Sequence, residues 1–173
     1  GKPTGKTVER SRAHAEGIRH RTAHVWLLRH RAGETEVLLQ KRSSRKDSFP
    51  GCYDISSAGH IPAGSGVMES ALRELEEELG IAAEQENLIW LGLRKTFHET
   101  SFYGRPFVDN QVCFVYCMWM DAEPEQMKLQ ESEVESVKWF SLSDCLKMVR
   151  ENTAPHCLYE DEVLMLFKAA AGF

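Results

Sequence analysis

Short apolar runs with many β-branched and aromatic residues predict that strands dominate the middle of the chain. Two of these runs, 23–28 and 36–40, flank a polar stretch that contains Gly33 and therefore predict a β-hairpin. Further strands are predicted at 53–58, 89–97, 112–120 and 137–140. Several of these runs are joined by connections too short for a crossover helix, so we expect a sheet that is not purely parallel.

Apolar residues at helical spacing appear in three other segments, 67–79, 142–151 and 158–170. Helices between and after a series of strands predict an α/β fold, an α/β sandwich with a mixed β-sheet. Residues 1–22 are largely polar and are expected to form an amino-terminal arm. The four tryptophans fall in the strand-like runs and are interpreted as core aromatics: Trp26, Trp90, Trp119 and Trp139.

Composition narrows the classes of protein that remain. With 173 residues, of which 42% are hydrophobic, the chain is expected to form one domain, 1–173. The formal net charge of -5 predicts no nucleic-acid partner, and no apolar run approaches the roughly 18 residues that span a membrane. The five cysteines are odd in number and include no CxxC pair, which favours a reducing, cytoplasmic location.

A cluster of glutamates distinguishes the first predicted helix. At about 100° per residue, placing Glu74 at zero puts Glu77 near 300° and Glu78 near 40°, while Glu76 falls near 200°. An apolar stripe lies beside this arc and is expected to be buried: Met68, Leu72, Leu75 and Leu79. Ser65 is the predicted N-cap, and Gly80 is expected to end the helix.

Two interpretations of the three carboxylates are open on geometry alone. Like charges three and four residues apart repel one another, and a hard divalent cation such as Mg²⁺ would offset that repulsion. Glutamate-rich helices are also common on protein surfaces, where water alone solvates the acidic face.

The context of the helix resembles the Nudix box, the signature of the Nudix hydrolase superfamily. Its pattern is Gly, five residues, Glu, seven residues, then Arg-Glu-apolar-any-Glu-Glu-any-Gly-apolar. Eight of the nine specified positions match within 59–81: Gly59, Arg73, Glu74, Leu75, Glu77, Glu78, Gly80 and Ile81. The departure is Ser65, which stands at the first glutamate, and Glu69 is a candidate for a partial replacement through a pair with Arg73.

This resemblance implies a Nudix-type α/β/α sandwich and a Mg²⁺-dependent hydrolase, with Mn²⁺ as the alternative ion. In the family such enzymes cleave a diphosphate linkage in a small molecule. By position in the box, Glu74, Glu77 and Glu78 would bind the metal, and Glu77, Glu78 and Arg73 would form the catalytic group, with Arg73 orienting a glutamate. The general base remains open between these carboxylates and a glutamate from another segment, such as Glu99 or Glu133.

Basic residues after the second predicted strand are candidates for contacts with phosphate. Arg42 and Lys46 would neutralise oxygens that the metal leaves uncovered. A solvated basic loop is the alternative interpretation. The segment 99–106 is the predicted specificity loop, in which Phe102 or Tyr103 would stack on a base.

Outside the box, the chain resembles isopentenyl-diphosphate isomerase, a Nudix-fold enzyme that moves a double bond by proton transfer. In that family, histidines equivalent to His14, His20 and His60 help to hold a metal. The isomerase also needs a cysteine where this chain has Ala58 and a glutamate where it has Gln111, and neither replacement transfers a proton.

The sequence therefore leaves three candidate functions open. They are a hydrolase, which the glutamate cluster favours, an isomerase, and a non-catalytic module that binds a diphosphate. Without the isomerase's acidic ligands, the three histidines are interpreted as ordinary surface or core residues. The sequence does not identify the group attached to the diphosphate. It also leaves the oligomeric state open, with a homodimer as one possibility.

Overall fold

A central mixed β-sheet organises the computed structural model, which describes residues 1–172. Over this range the chain forms seven strands and four helices. The strands are β1 (His20–Arg31), β2 (Glu34–Arg42), β3 (Tyr53–Asp54), β4 (Ser57–His60), β5 (Ile89–Phe102), β6 (Arg105–Trp119) and β7 (Val134–Ser141). The helices are α1 (Arg10–Glu16), α2 (Val67–Leu79), α3 (Leu142–Glu151) and α4 (Glu160–Ala170).

The strand order is β3-β2-β1-β6-β5, with β4 paired to β1 and β7 paired to β2. The contact between β1 and β6 is parallel, and the other strand pairs are antiparallel. The parallel pair is reached by a long connection that contains β2 to β5, whereas β1 and β2, and β5 and β6, are joined by tight turns. The mixed sheet predicted from the sequence is thus confirmed.

Helices cover both faces of the sheet. Alternation along β1 sends Val25 and Leu27 to the core beneath α2, and Trp26 and Leu28 to the core beneath α3 and α4. This is an α/β/α sandwich, as the sequence predicted. Among the helices within residues 1–172, none has the length and apolar character needed to cross a membrane.

Helix α2 lies where the apolar spacing placed it. Leu75 and Leu79 are fully buried, and its end at Gly80 has the left-handed backbone conformation, with φ of 67°. The predicted cap is wrong, because the N-cap is Gly66 rather than Ser65. The Gly66 amide donates to the Glu69 carboxylate at 3.2 Å, so Glu69 stabilises the start of the helix instead of pairing with Arg73.

Other differences lie outside the helix. The amino-terminal arm contains α1, which the sequence did not predict, and the run 53–58 is divided between β3 and β4. The predicted loop 99–106 is largely strand, because β5 and β6 form a long hairpin closed by Tyr103 and Gly104. Trp26 is a core residue as expected, but Trp90 is 48% exposed.

Candidate active site

Glu78 is the most deeply placed of the three glutamates on α2. The residue is 5% exposed, and its carboxylate accepts hydrogen bonds from the Gln40 side chain at 3.3 Å and the Ala58 amide at 3.4 Å. Burial raises the pKa of Glu78 to about 7, against the opposing attraction of Lys46. A carboxyl group that titrates near neutral pH is suited to exchanging protons with a substrate or with water.

Glu74 lies directly against β4. A Cβ atom added to Gly59 would overlap the Glu74 carboxylate, so a side chain at position 59 would displace that carboxylate. Arg73 donates a hydrogen bond to Glu74 at 2.8 Å and thereby holds it in place. The first glycine of the box therefore has a physical reason in this chain, which is the close approach of helix and strand.

Glu77 faces solvent, with 56% of its side chain exposed and the Arg73 guanidinium 3.9 Å away. The three glutamates share one arc of α2 as expected, but their surroundings differ, since one is buried, one is half-buried and one is exposed. Arg73 contacts two of them, which agrees with the orienting role that the resemblance implies for it.

The two proposed phosphate contacts differ from one another. Arg42 pairs with Asp54 at 2.7 Å and donates to the carbonyls of Ser48 and Phe49, so its guanidinium holds the 48–49 turn against the sheet. Lys46 pairs with Glu133 and lies near Glu78. Burial would raise the pKa of Glu133, but the hydrogen bond from Lys46 holds it below its usual value.

A cavity lies beside Arg42 and Lys46, on the face of the sheet opposite to α2. Its lining includes Lys46, Gly59, Arg94, Thr96 and Tyr159. The glutamates of α2 are not among its lining residues, but Ala58 and Gly59 of β4, which contact Glu78 and Glu74, are. Glu99, another candidate base, does not line the cavity either and is exposed on β5.

Three histidines converge from α1, β1 and β4, and two of them, His14 and His60, line the cavity. Ligand atoms of His14, His20 and His60 lie within 4.8 Å of one another. Within residues 1–172, this is the cluster of side chains that is close enough together to hold a metal ion. The sequence did not show that these three residues lie together in the folded chain. Asp109, which the sequence reasoning did not assign, lies 3.3 Å from His14.

The hydrogen bonds of the histidine rings fix how the three rings are oriented. The Nδ1 atoms of His14 and His20 lie 3.2 Å from the Val108 carbonyl and 2.9 Å from the Ile18 carbonyl. A carbonyl only accepts, so both Nδ1 atoms donate, which turns the Nε2 atoms inward, and the His14 Nε2 lies 3.1 Å from the His60 Nε2. Among the described residues the buried Nε2 of His20 has no hydrogen-bond partner, and His60 is held neutral because burial lowers its pKa to about 3.

A buried polar network lies behind the cavity, where α4 packs on the sheet. Glu162 accepts hydrogen bonds from His24 and Trp26, each at 2.8 Å, and the Arg94 guanidinium stacks 3.8 Å from the centre of the Tyr159 ring. His24 is therefore a hydrogen-bonded core residue. Its partner is 138 positions away in the sequence, and no local motif joins the two.

The positions that the isomerase needs are also in the cavity. Ala58 and Gln111 both line it, and the Gln111 amide donates to Asp109 at 2.8 Å. Neither side chain titrates, so the two proton-transfer positions of the isomerase remain inert in this chain.

Comparisons with known proteins agree with this architecture. Residues 18–159 match the NUDIX domain family model. The chain is 38% identical over 125 residues to an uncharacterised Nudix hydrolase of Clostridium acetobutylicum, covering 72% of this chain and 58% of the relative. It is 39% identical over 146 residues to Nudix hydrolase 3 of Arabidopsis thaliana, covering 80% of this chain and 18% of that protein. The chain thus spans only part of these relatives.

Solved structures show the same fold at lower identity. A Caenorhabditis elegans Ap4A hydrolase in a binary complex superposes with a TM-score of 0.61 at 22% identity, covering 89% of this chain and 99% of that one. The Nudix domain of Shewanella oneidensis NrtR, complexed with ADP-ribose, gives 0.60 at 19% identity, covering 90% and 88%. On the family match and its sequence relatives, the chain belongs to the Nudix family.

Proposed function

We propose that this protein is a Mg²⁺-dependent Nudix hydrolase that cleaves a diphosphate linkage in a small molecule. The observation that carries the proposal is the contact between α2 and β4, where Glu74 lies against Gly59 and Glu78 is buried beside Ala58. This contact places two carboxylates of the box at the strand that borders the cavity. The compounds to test as substrates are therefore organic diphosphates, among them nucleoside diphosphate derivatives.

The residues present fit a hard divalent cation. Glu74, Glu77 and Glu78 offer carboxylate oxygens, the donors that Mg²⁺ and Mn²⁺ prefer, and the absence of a side chain at Gly59 leaves the Glu74 carboxylate its place. When bound, such an ion would neutralise phosphate charge and lower the pKa of an attacking water.

The remaining roles follow from the contacts of each side chain. Arg73 orients Glu74 and Glu77, and Lys46 presents a cation to the cavity that Gly59 also lines. Arg42 supports the 48–49 turn and contributes to phosphate binding through its charge. Glu78 is the favoured general base, since its pKa of about 7 lets it accept a proton at neutral pH.

The test is a magnesium-dependent assay of phosphate or monophosphate release from these organic diphosphates. We expect Glu78→Gln to lower kcat/KM at least about a hundredfold and Glu77→Gln to lower it as well, because a charge-stabilising or proton-transfer group is lost. Glu76→Gln is the matched control, as Glu76 is exposed on the opposite side of the same helix.

Two results would replace the proposal. Binding of diphosphates by the parent protein without turnover of any of them would establish a non-catalytic module. Interconversion of isopentenyl and dimethylallyl diphosphate without hydrolysis would establish an isomerase.

A second metal site is favoured by the histidine geometry, and we infer that His14, His20 and His60 bind a transition metal. Two imidazole rings oriented by backbone carbonyls and a carboxylate beside His14 are features of such sites. The same arrangement supports placing the chain in a branch of the family related to isopentenyl-diphosphate isomerase, with its proton-transfer residues replaced.

Metal analysis of the purified protein tests this site apart from catalysis. After incubation with Zn²⁺ or Mn²⁺ and desalting, the parent protein is expected to retain about one equivalent of metal that His60→Ala loses. His98→Ala, at an exposed histidine on β5, should retain it. Equal metal content in the parent and in His60→Ala would exclude the site.

A further inference from the structure

Strand β5 forms one edge of the sheet and carries exposed apolar side chains. It pairs with β6 on one side, and the other side ends the strand order. Leu93 is 49% exposed and Phe97 is 62% exposed, and both lie on the same face of the strand. Edge strands of this kind are prone to pair with another strand, and proteins usually protect or use them.

The hairpin geometry determines which backbone groups of β5 are free. Phe102 faces Arg105 across the two-residue turn Tyr103-Gly104, whose φ angles of 51° and 75° are those of a type I′ turn. The residues that close such a turn form a hydrogen-bonded pair, and hydrogen-bonded pairs alternate along an antiparallel ladder. Even-numbered residues of β5 therefore bond to β6, and the odd-numbered residues 93–101 direct their amides and carbonyls to the open edge.

The charges on the same residues are arranged symmetrically. Lys95 and Glu99 flank Phe97 at equal spacing and point to the same face of the strand, since side chains alternate. Within residues 1–172 neither of the two takes part in an ion pair. The pattern reads Leu93, Lys95, Phe97, Glu99, Ser101 along the open edge.

We propose that two copies of this chain associate through β5, antiparallel, with Phe97 of each copy on the two-fold axis. In this register each Lys95 lies opposite Glu99 of the second copy, and the free backbone groups of the odd-numbered residues form hydrogen bonds across the axis. The pairing uses the regular part of the strand completely, because a bulge between Trp90 and Gly92 ends it on one side and the hairpin turn ends it on the other.

Three other registers that centre an outward-facing residue of the same two edges on the axis are less favourable. Centring the axis on Lys95 or on Glu99 would place like charges directly opposite one another, which destabilises a strand pair. Centring it on Leu93 leaves both charges without partners and moves Phe97 to the bulged end. A second copy is favoured over an unrelated protein because the edge complements itself, as a two-fold interface requires.

The experiment measures the mass of the full chain in solution across a wide range of concentration, by light scattering and sedimentation. The parent protein is expected to dimerise. Lys95→Glu places acidic side chains opposite each other at both symmetry-related positions, and Glu99→Lys places basic ones there. Each single exchange should therefore weaken the dimer by about tenfold or more, and the double exchange should restore it. Lys147→Glu, at an exposed position on α3, is the control for net charge and should dimerise like the parent.

Thermal unfolding of every variant confirms that the changes leave the fold intact. A parent protein that stays monomeric at all concentrations would overturn the proposal. So would a dimer that the single exchanges leave unchanged, since it must use another surface. A dimer weakened by both single exchanges but not restored by the double exchange would exclude the register centred on Phe97.

Discussion

Single residues in this protein owe their chemistry to burial as much as to their type. Glu74, Glu77 and Glu78 are the same residue on one helix, yet Glu78 alone is buried against the sheet, and that burial raises its pKa to about 7. His60 shows the converse, since burial and neighbouring positive charge lower its pKa to about 3 and keep it neutral. A neutral imidazole retains the lone pair that a metal requires.

The raised pKa of Glu78 predicts a specific dependence of stability on pH. The folded protein holds the Glu78 proton up to about pH 7, whereas the unfolded chain releases it near the ordinary value of about 4.5. The contribution of this group is therefore fully present below about pH 4.5 and is lost as pH rises to about 7, at a cost of up to about 3 kcal/mol. The Gln side chain does not titrate, so Glu78→Gln should escape this loss.

Urea denaturation with a chelator present measures the effect. Between about pH 5 and about pH 8, the free energy of unfolding of the parent should fall relative to that of Glu78→Gln. Glu76→Gln serves again as the control and should follow the parent. Parallel curves for the parent and Glu78→Gln would show that the Glu78 carboxyl group titrates normally.

At the scale of elements, regular patterns in the sequence were sufficient for the parts that depend on local periodicity. Helix α2 was predicted at its observed bounds, because its apolar stripe repeats at helical spacing and Gly80 supplies the left-handed end. The same periodicity placed the three glutamates on one arc. It did not show which of these glutamates is buried and which is exposed. That depends on the contact of α2 with β4, which the periodicity of α2 does not encode.

The elements that the sequence missed are those held by contacts between distant segments. Helix α1 has seven mostly polar residues and no apolar stripe, and it is fixed by long-range contacts such as that of His14 with Val108. Arg42 was interpreted through its position in a basic stretch, but its main partner, Asp54, lies on β3, and the pair forms only when β2 and β3 align. The convergence of the three histidines depends on α1 in the same way.

The whole molecule consists of two helical layers on one sheet, and the layers are joined to it differently. Apolar contacts join α2 to its face, with Leu75 and Leu79 fully buried. The α4 side adds a buried ionic contact, in which Glu162 meets His24 and Trp26 of β1. Because this contact lies behind the cavity, the packing of α4 on the sheet and the shape of the cavity depend on the same charges.

Glu162→Gln is therefore expected to loosen the α4 layer. Burial alone would lower the pKa of His24, but attraction to Glu162 outweighs it and holds that pKa well above its usual value. Without the carboxylate, a buried His24 cation would lack its partner, and loss of one member of a buried ion pair costs about 3–5 kcal/mol. The stability lost by the variant relative to the parent should grow as pH falls through about 6.5. At that pH His24 of the unfolded variant binds a proton that the folded variant disfavours, whereas the folded parent already holds this proton.

Chemical denaturation of parent and variant from about pH 8 to about pH 5 measures this difference in the free energy of unfolding. Glu160→Gln, at the exposed first position of α4, should stay within about 1 kcal/mol of the parent throughout, and an equally small change for Glu162→Gln would show that His24 is neutral in the folded protein.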